Sequence, residues 1–379
     1  MREKTRARNQ WFVMFRKAIG VAAMFMCAAS AQTMSFVPEA VARNNQAVQL
    51  VKAGRNGEAE KLYRAALSAA SSDDLTRAKI ASNLGELYRR EDRYGEAEKM
   101  YRSALQWRER KLPEASVEMA YALNNLGEIY RVEGRDWEAR SLMMRAERNL
   151  EEFHSDAPGL PIVQGNLAAV LCRFGELDQA QELLRSALIT YQSRRQTSSR
   201  EYGVTLVGLA RVLEHRKDLA GAAPVYEEAV GVLKRAGPSA QKELAAALAD
   251  RGDLYRQMDR TAEARQSEER ALELLLPQGD ALLRAMILRN IGKIVASQGK
   301  PADSVPYFEQ SLALHEKTLG AEHPATAGLL LDYASATQRA GNKGLARKLR
   351  KRAEELIDRI RSRSPSQMMV SLRDLRQEK

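Results

Sequence analysis

The chain has 379 residues, of which 44% are hydrophobic, 29% charged and 6% aromatic, with 23 glycines and 11 prolines. That is too apolar for a disordered chain and too poor in glycine and proline for a low-complexity linker. Its net charge of +11 is no argument for nucleic acid: residues 1–31 carry +5 and residues 343–363 carry +6, so the rest is neutral overall.

The N-terminus reads as a secretory signal. Arg2, Lys4, Arg6, Arg8, Arg16 and Lys17 form a basic region, Ala18–Ala31 is apolar, and Ala29-Ser30-Ala31 supplies a small-residue cleavage pattern. Residues 1–31 are therefore expected to be removed and the chain exported, periplasmic or secreted. The apolar run is short and alanine-rich for a membrane span, which needs about 20 residues. A retained N-terminal anchor is the alternative, and no later segment could cross a membrane. Cleavage would remove Cys27 and leave Cys172 alone, without a disulfide or a cysteine metal site.

From residue 44 to about 358 one pattern recurs. A small residue on a first helix is followed twelve positions later by a small residue on a second, with a bulky residue often four after that. The clearest copies are Leu84-Gly85, Tyr88, Ala97, Tyr101, Ala104 and Leu126-Gly127, Tyr130, Ala139, Met143, Ala146. The second-helix positions are Ala59, Ala97, Ala139, Ala180, Ala222, Ala264, Ser304 and Ala346, and their first-helix partners are Ala47, Gly85, Gly127, Ala168, Ala210, Gly252, Gly292 and Ala334. A small residue where two helices cross lets the backbones approach, and larger neighbours fill the space around it. One such pair cannot bury its apolar face alone, so copies must stack. Gly54, Gly134, Gly175 and the pair Asp92-Arg93 fall in the turns between paired helices. Pro224 and Pro306 each stand two residues after the second-helix small residue. Since proline is tolerated near a helix start, that small residue should lie in the first turn of its helix.

These motifs resemble the Leu-Gly-x-x-Tyr … Ala-x-x-x-Phe signature of the tetratricopeptide (TPR) repeat. The period, near 42 residues instead of about 34, and the stretch Leu312 to Ala327 are similar to the kinesin-light-chain subtype. The resemblance implies an all-α chain: a right-handed α-α superhelix, or TPR solenoid, of about eight helix pairs, with first helices lining a concave face. It does not carry over motor association, because the chain has no long coiled-coil heptad region.

Two positions before the first-helix small residue stand Asn45, Asn83, Asn125, Asn166, Gly208, Asp250, Asn290 and Asp332. Asparagine carries donors and an acceptor and can pair with peptide backbone of any sequence, or it can bridge neighbouring helices. Kinesin light chain grooves look similar here, which implies peptide contact. Glu86, Arg90, Glu128, Arg173, Arg211, Asp253 and Lys293 should also face the groove, with Arg89, Arg131, Arg256 and Arg289 near by. The candidate groove set is therefore Asn83, Asn125, Asn166, Asn290, Asp250, Arg90, Arg131, Arg173, Arg211 and Arg256. Its basic surplus favours a protein or peptide partner bearing carboxylates, which arginine binds in a two-pronged fork. Glu86 and Glu128 stand where a clamp for a C-terminal carboxylate would need neutral or basic groups.

A basic helix, with Arg347, Lys348, Arg350, Lys351 and Arg352, should cap the solenoid with a polar outer face; binding to an anionic membrane surface or nucleic acid is the alternative. Residues 359–379 read as a basic tail. No catalytic constellation stands out. The four histidines lack metalloprotease spacing, Gly341-Asn-Lys-Gly344 is not a phosphate loop, and no strand pattern could carry a serine elbow. The expectation is a non-catalytic adaptor or scaffold without cofactor or metal, and with no nucleic acid partner.

Overall fold

The computed structural model describes residues 38–70, 73–275 and 280–363. The expected signal, its cleavage site and the tail from 364 onward lie outside these residues. No helix of the described part is long and apolar enough to cross a membrane.

The described residues are all-helical and run as consecutive pairs. The first-helix and second-helix members are α1 (38–52) with α2 (Asn56–Ala69), α3 (Asp74–Arg90) with α4 (Tyr94–Glu109), and α5 (Val117–Val132) with α6 (Asp136–Phe153). Then come α7 (Leu160–Arg173) with α8 (Leu177–Ser193), α9 (Arg200–His215) with α10 (Leu219–Ala236), and α11 (Gln241–Gln257) with α12 (Thr261–Leu274). The last are α13 (Ala281–Ser297) with α14 (Pro301–Leu319), and α15 (Pro324–Arg339) with α16 (Lys343–Arg363).

The turn inside each pair has one geometry. Gly54, Asp92, Gly134, Gly175, Lys217, Asp259, Gly299 and Gly341 all have positive φ, and each stands five residues before its second-helix small residue. The next N–H reaches back to the carbonyl five residues earlier, as in Arg55 to Leu50 (2.9 Å), Arg135 to Tyr130 (2.7 Å) and Asn342 to Thr337 (2.9 Å). This Schellman closure satisfies carbonyls that the helix end would leave open. Glycine serves it best, because a side chain in the left-handed region crowds the backbone. Three copies use Asp or Lys instead.

The crossing contact is the one the small residues require. A Cβ built on Gly127 would lie 2.9 Å from Met143, one on Gly292 would lie 3.0 Å from Phe308, and one on Gly252 would lie 2.8 Å from Glu268. In each case the residue over the glycine stands four after the second-helix small residue. That position holds Tyr63, Tyr101, Met143, Leu184, Tyr226, Glu268 and Phe308, each 2% exposed or less. In α16 it holds Arg350, which is exposed, and Leu349 one residue earlier is buried in its place.

Ala222 and Ser304 are each the fourth residue of their helix, within the first turn as expected. Pro224 and Pro306 lie in the second turn, inside α10 and α14. Each removes one helical hydrogen bond, but both prolines and the residues holding the freed carbonyls, Ala220 and Ala302, are exposed, so water can replace it.

The chain forms two compact units. One contains residues up to Leu87 and Arg102–Lys111. There Ala78, Ala81 and Ala104 pack with Leu67 and Trp107, and the Arg77 guanidinium lies 4.1 Å over the Trp107 ring. The other contains Tyr88–Tyr101 and everything from Leu112. Within it, each first helix also packs on the first helix of the next pair, from α5 through α15, whereas successive second helices have no packing of comparable extent among the described residues. Close spacing on one side and wide spacing on the other curve this unit, with the first helices on the concave side.

The curvature brings distant turns together. Asp92 Oδ2 accepts from the Ala281 N–H (3.0 Å), capping the start of α13 from 189 positions away. The His323 ring donates from Nε2 to the Val132 carbonyl (2.9 Å), while Nδ1 accepts from Ala325 N–H (3.2 Å). Pro324 sits against Gly134, where a Cβ would come within 3.1 Å. Burial pushes the His323 imidazole down to about 4, consistent with a neutral ring that donates at one nitrogen and accepts at the other.

Candidate functional site

On the concave side of the larger unit, five of the ten groove-set residues, Arg131, Arg173, Arg211, Asp250 and Arg256, are brought together in two clusters. The first is cationic. Arg131, near the end of α5, pairs with Glu128 (3.0 Å). Arg173, the last residue of α7, donates to the Arg131 carbonyl (3.2 Å) and pairs with Asp136 (3.0 Å). Arg211, on α9, pairs with Asp250 of α11 at 2.6 Å. Neighbouring charge separates these arginines. The Glu128 carboxylate holds Arg131 above its ordinary value, although Arg211 opposes it. Asp250 does the same for Arg211. Burial and the nearby Arg131 hold Arg173 below its ordinary value despite Asp136, so it is the least compensated cation of the three. Its side chain is 39% exposed. Asp136 in turn is pushed up by burial, and its Oδ1 finds no partner among the described residues.

The second cluster lines a concavity of about 630 Å³ with Arg211, Glu214, Tyr226, Asp250, Asp253 and Arg256 among its walls. Arg256 pairs with Asp253 (2.9 Å), and Lys293 approaches the same carboxylate at 3.6 Å. Burial pushes the Asp253 carboxyl up, but Lys293 and Arg256 outweigh it and hold it below its ordinary value. Burial raises Asp250 and Glu214. Tyr226 donates to Glu214 (3.1 Å), and Gln257 bridges Glu214 and Asp253. Arg211 keeps 46% of its side chain accessible although protein surrounds it, as expected of a side chain lining a water-filled groove.

The asparagine line has a different role from its neighbours. Asn166 donates to Asn124 Oδ1 (3.0 Å), one position earlier in the register of the preceding pair. Asp332 meets Arg289 (2.6 Å) in the same relation, and so does Asn83 with Asn44 (2.9 Å) in the smaller unit. The line therefore staples one first helix to the next. Asn290 lies deeper still: it is 8% exposed and donates to the buried Glu268 (2.8 Å), so it faces the core and not the groove. Asn125 is half-buried and makes no side-chain hydrogen bond among the described residues. Arg90 closes α3 and is exposed. Asp136, Glu214 and His323 were not in the expected set. Glu214 could have been found, because it stands four after the small residue, where Arg131 and Arg256 stand in their copies. Asp136, the first residue of α6, and His323, the N-cap of α15, stand outside that register.

The chemistry of the site is that of an ionic binding surface. No cluster of metal-ligating side chains occurs among the described residues. Burial pushes the Cys172 thiol up to about 11, the opposite of what a nucleophile needs.

Comparison with known proteins gives the family. The tetratricopeptide repeat model matches residues 38–110, 76–152, 159–235 and 283–358, more than half of the chain. No curated protein matches the sequence. Among solved structures, a Rap protein complexed with Competence and Sporulation Factor has a TM-score of 0.61 at 12% identity, covering 86% of this chain and 99% of that one. The Rap conjugation gene regulator of plasmid pLS20, in complex with the Phr* peptide, has a TM-score of 0.59 at 17% identity, covering 78% and 77%. The kinesin light chain TPR-like repeats of Podosopora anserina give 0.45 at 16% identity, covering 52% and 95%. The chain belongs to the tetratricopeptide repeat family, with kinesin light chain-like repeats among its structural neighbours.

Proposed function

We propose that the chain is a non-catalytic binding module that takes an acidic peptide, or an acidic segment of a protein, against the cationic wall formed by Arg131, Arg173 and Arg211. The observation that carries this reading is Arg173. Its guanidinium is open to the groove and under-compensated, so an incoming carboxylate gains a charge-assisted, two-pronged contact. TPR chains commonly act as interaction modules, and the two Rap structures were solved with a factor or a peptide bound, in keeping with a peptide partner. In this reading Asn125, half-buried on α5 with no side-chain hydrogen bond among the described residues, pairs with peptide backbone. Export of the chain is part of the proposal and rests on the basic, apolar and small-residue order of residues 1–31.

The test is binding of labelled short peptides, acidic against neutral and basic, by fluorescence anisotropy. The acidic set should bind, and Arg173→Gln should weaken it by about tenfold or more, the size of one charged hydrogen-bonded contact, with the melting transition retained. Equal binding of all three sets, or an Arg173→Gln chain that binds as wild type, would overturn the reading.

A further inference from the structure

The basic half of α16 has a use that helix stability does not supply. We infer that the outer face of α16 is an electrostatic docking surface for an anionic lipid bilayer, separate from the groove.

Three observations carry it. The inner stripe of α16, Ala346, Leu349, Ala353 and Leu356, is buried, so this helix is seated and its outward face is fixed. On that face Lys343, Arg347, Lys348 and Arg350 are exposed and have no carboxylate partner among the described residues, whereas Arg352 and Arg359 on the same helix pair with Glu316 and Glu322 (2.5 Å for the latter). The unpaired cations are thus a local choice within one helix. Second, they stand at the wrong end. A helix N-terminus favours acidic side chains; among the second helices α2, α4, α6, α8, α12 and α14 each carry one in the first turn, from Glu58 to Asp303, and α10 is capped by Asp218, whereas the first helices α7, α13 and α15 have none in that turn. The first turn of α16 has none and opens on Lys343. Third, Arg350 occupies the register position where the other seven copies bury a side chain. It points out instead, beside a shallow concavity of about 520 Å³ whose walls include Lys343, Arg347, Arg350 and Lys351 against the single carboxylate of Glu354. The register position is occupied by a cation while Leu349 fills the core beside it, and the helix start also carries a cation.

A partner of opposite charge fits this surface, and its form narrows the choice. The four cations span about two turns of one helix, on the order of 11 Å at 1.5 Å per residue; Lys343, Arg347 and Arg350 lie within about 60° of one another around it, with Lys348 farther round the outer side. The helix has no aromatic side chain over 343–363 on which an unpaired base could stack. A bilayer needs neither stacking nor a second row of contacts. It attracts each Lys or Arg near its surface additively, and clusters of four to eight are the usual signature. Because the apolar stripe is occupied by the fold, binding is by charge and does not insert the helix.

The experiment is co-sedimentation of the full chain with phosphatidylcholine vesicles and with vesicles containing phosphatidylglycerol, at low and high salt. The readout is the excess partition into the anionic vesicles, which discounts any contribution of the apolar segment 18–31. The inference expects a clear excess that salt abolishes. Lys343→Glu, Arg347→Glu and Arg350→Glu together should reduce it by roughly a hundredfold or more, from about fivefold for each cation. Exchanging Lys for Arg and Arg for Lys at the same positions should keep it. These side chains are exposed, so a matching circular dichroism spectrum and melt show that the fold is intact. No anionic excess for the wild type, or an excess that survives the triple charge reversal, overturns the inference. Tighter binding to a duplex oligonucleotide or to an acidic polypeptide than to the vesicles, lost in the same triple variant, also overturns it and reassigns the surface.

Discussion

Replacing Gly134 by alanine tests whether the larger unit is closed upon itself. Gly134 has φ of 74° and touches Pro324, whereas Gly299, with φ of 77° in the equivalent turn, has nothing within 4 Å of an added Cβ. Both substitutions force an L side chain into the left-handed region, at about 1–2 kcal/mol. Only Gly134→Ala also drives a methyl to 3.1 Å from Pro324 Cγ and 3.3 Å from Cδ. Pro324 must then give way, and the bond from His323 to the Val132 carbonyl moves with it, adding about 1–2 kcal/mol. Native-state hydrogen exchange read by mass spectrometry separates the two effects. Gly299→Ala should lower protection at its own turn. Gly134→Ala should lower protection both at 130–136 and, almost 190 positions on, at 321–326. Wild-type protection at 321–326 in the Gly134→Ala chain would refute the closing contact.

Four further outcomes follow from single residues. Asp259 has positive φ and is exposed, and its side chain makes no hydrogen bond among the described residues, so Asp259→Gly should raise the melting temperature by relieving about 1 kcal/mol. Asp92→Gly should lower it, because that carboxylate also accepts from Ala281 N–H and Tyr94 OH; urea titration of the pair checks the opposite signs. Burial pushes the Glu268 carboxyl well above its ordinary value. The folded state therefore holds a proton that the unfolded state releases above about 4.3, and stability falls as pH rises from there toward the folded-state value. Glu268→Gln keeps the shape and the Asn290 contact, and should flatten that fall in melts taken from about pH 4.3 upward. His323 has the opposite sense. Its imidazole is pushed from 6.5 down to about 4, so its contribution is present above 6.5 and is lost as pH falls through that window. His323→Asn should remove this slope, on the order of 2–3 kcal/mol, from acid melts.

What could be read from the sequence follows from what repeats. Gly127 and Ala139, or Gly292 and Ser304, show their role because close crossing restricts the residue type in every copy. The turns were legible where glycine marks them or, in the second copy, where the polar pair Asp92-Arg93 does. Lys217 and Asp259 adopt the same conformation without a residue type that announces it, and their place emerges from the constant five-residue offset. The contact of His323 with Val132 was not legible, since it depends on small rotations accumulated over several pairs and involves no shared motif. The asparagine line shows the limit most plainly. Asn166 and Asn125 share one register position, yet Asn166 is held by Asn124 of the preceding pair while Asn125 makes no such bond. The deciding residue lies one pair away, in a position that varies. The arginines were easier to place than to rank: Arg173 differs from Arg211 because Asp250 faces only the latter.

The most direct test of the groove reading is site-specific photo-crosslinking of an acidic peptide. A photoreactive benzoylphenylalanine at position 125 lies on the concave wall, and one at position 189 replaces an isoleucine that is 64% exposed on α8. The account predicts adducts from position 125, competed away by unlabelled peptide and diminished by Arg173→Gln, with none from position 189. Adducts from position 189 and none from position 125 would contradict it.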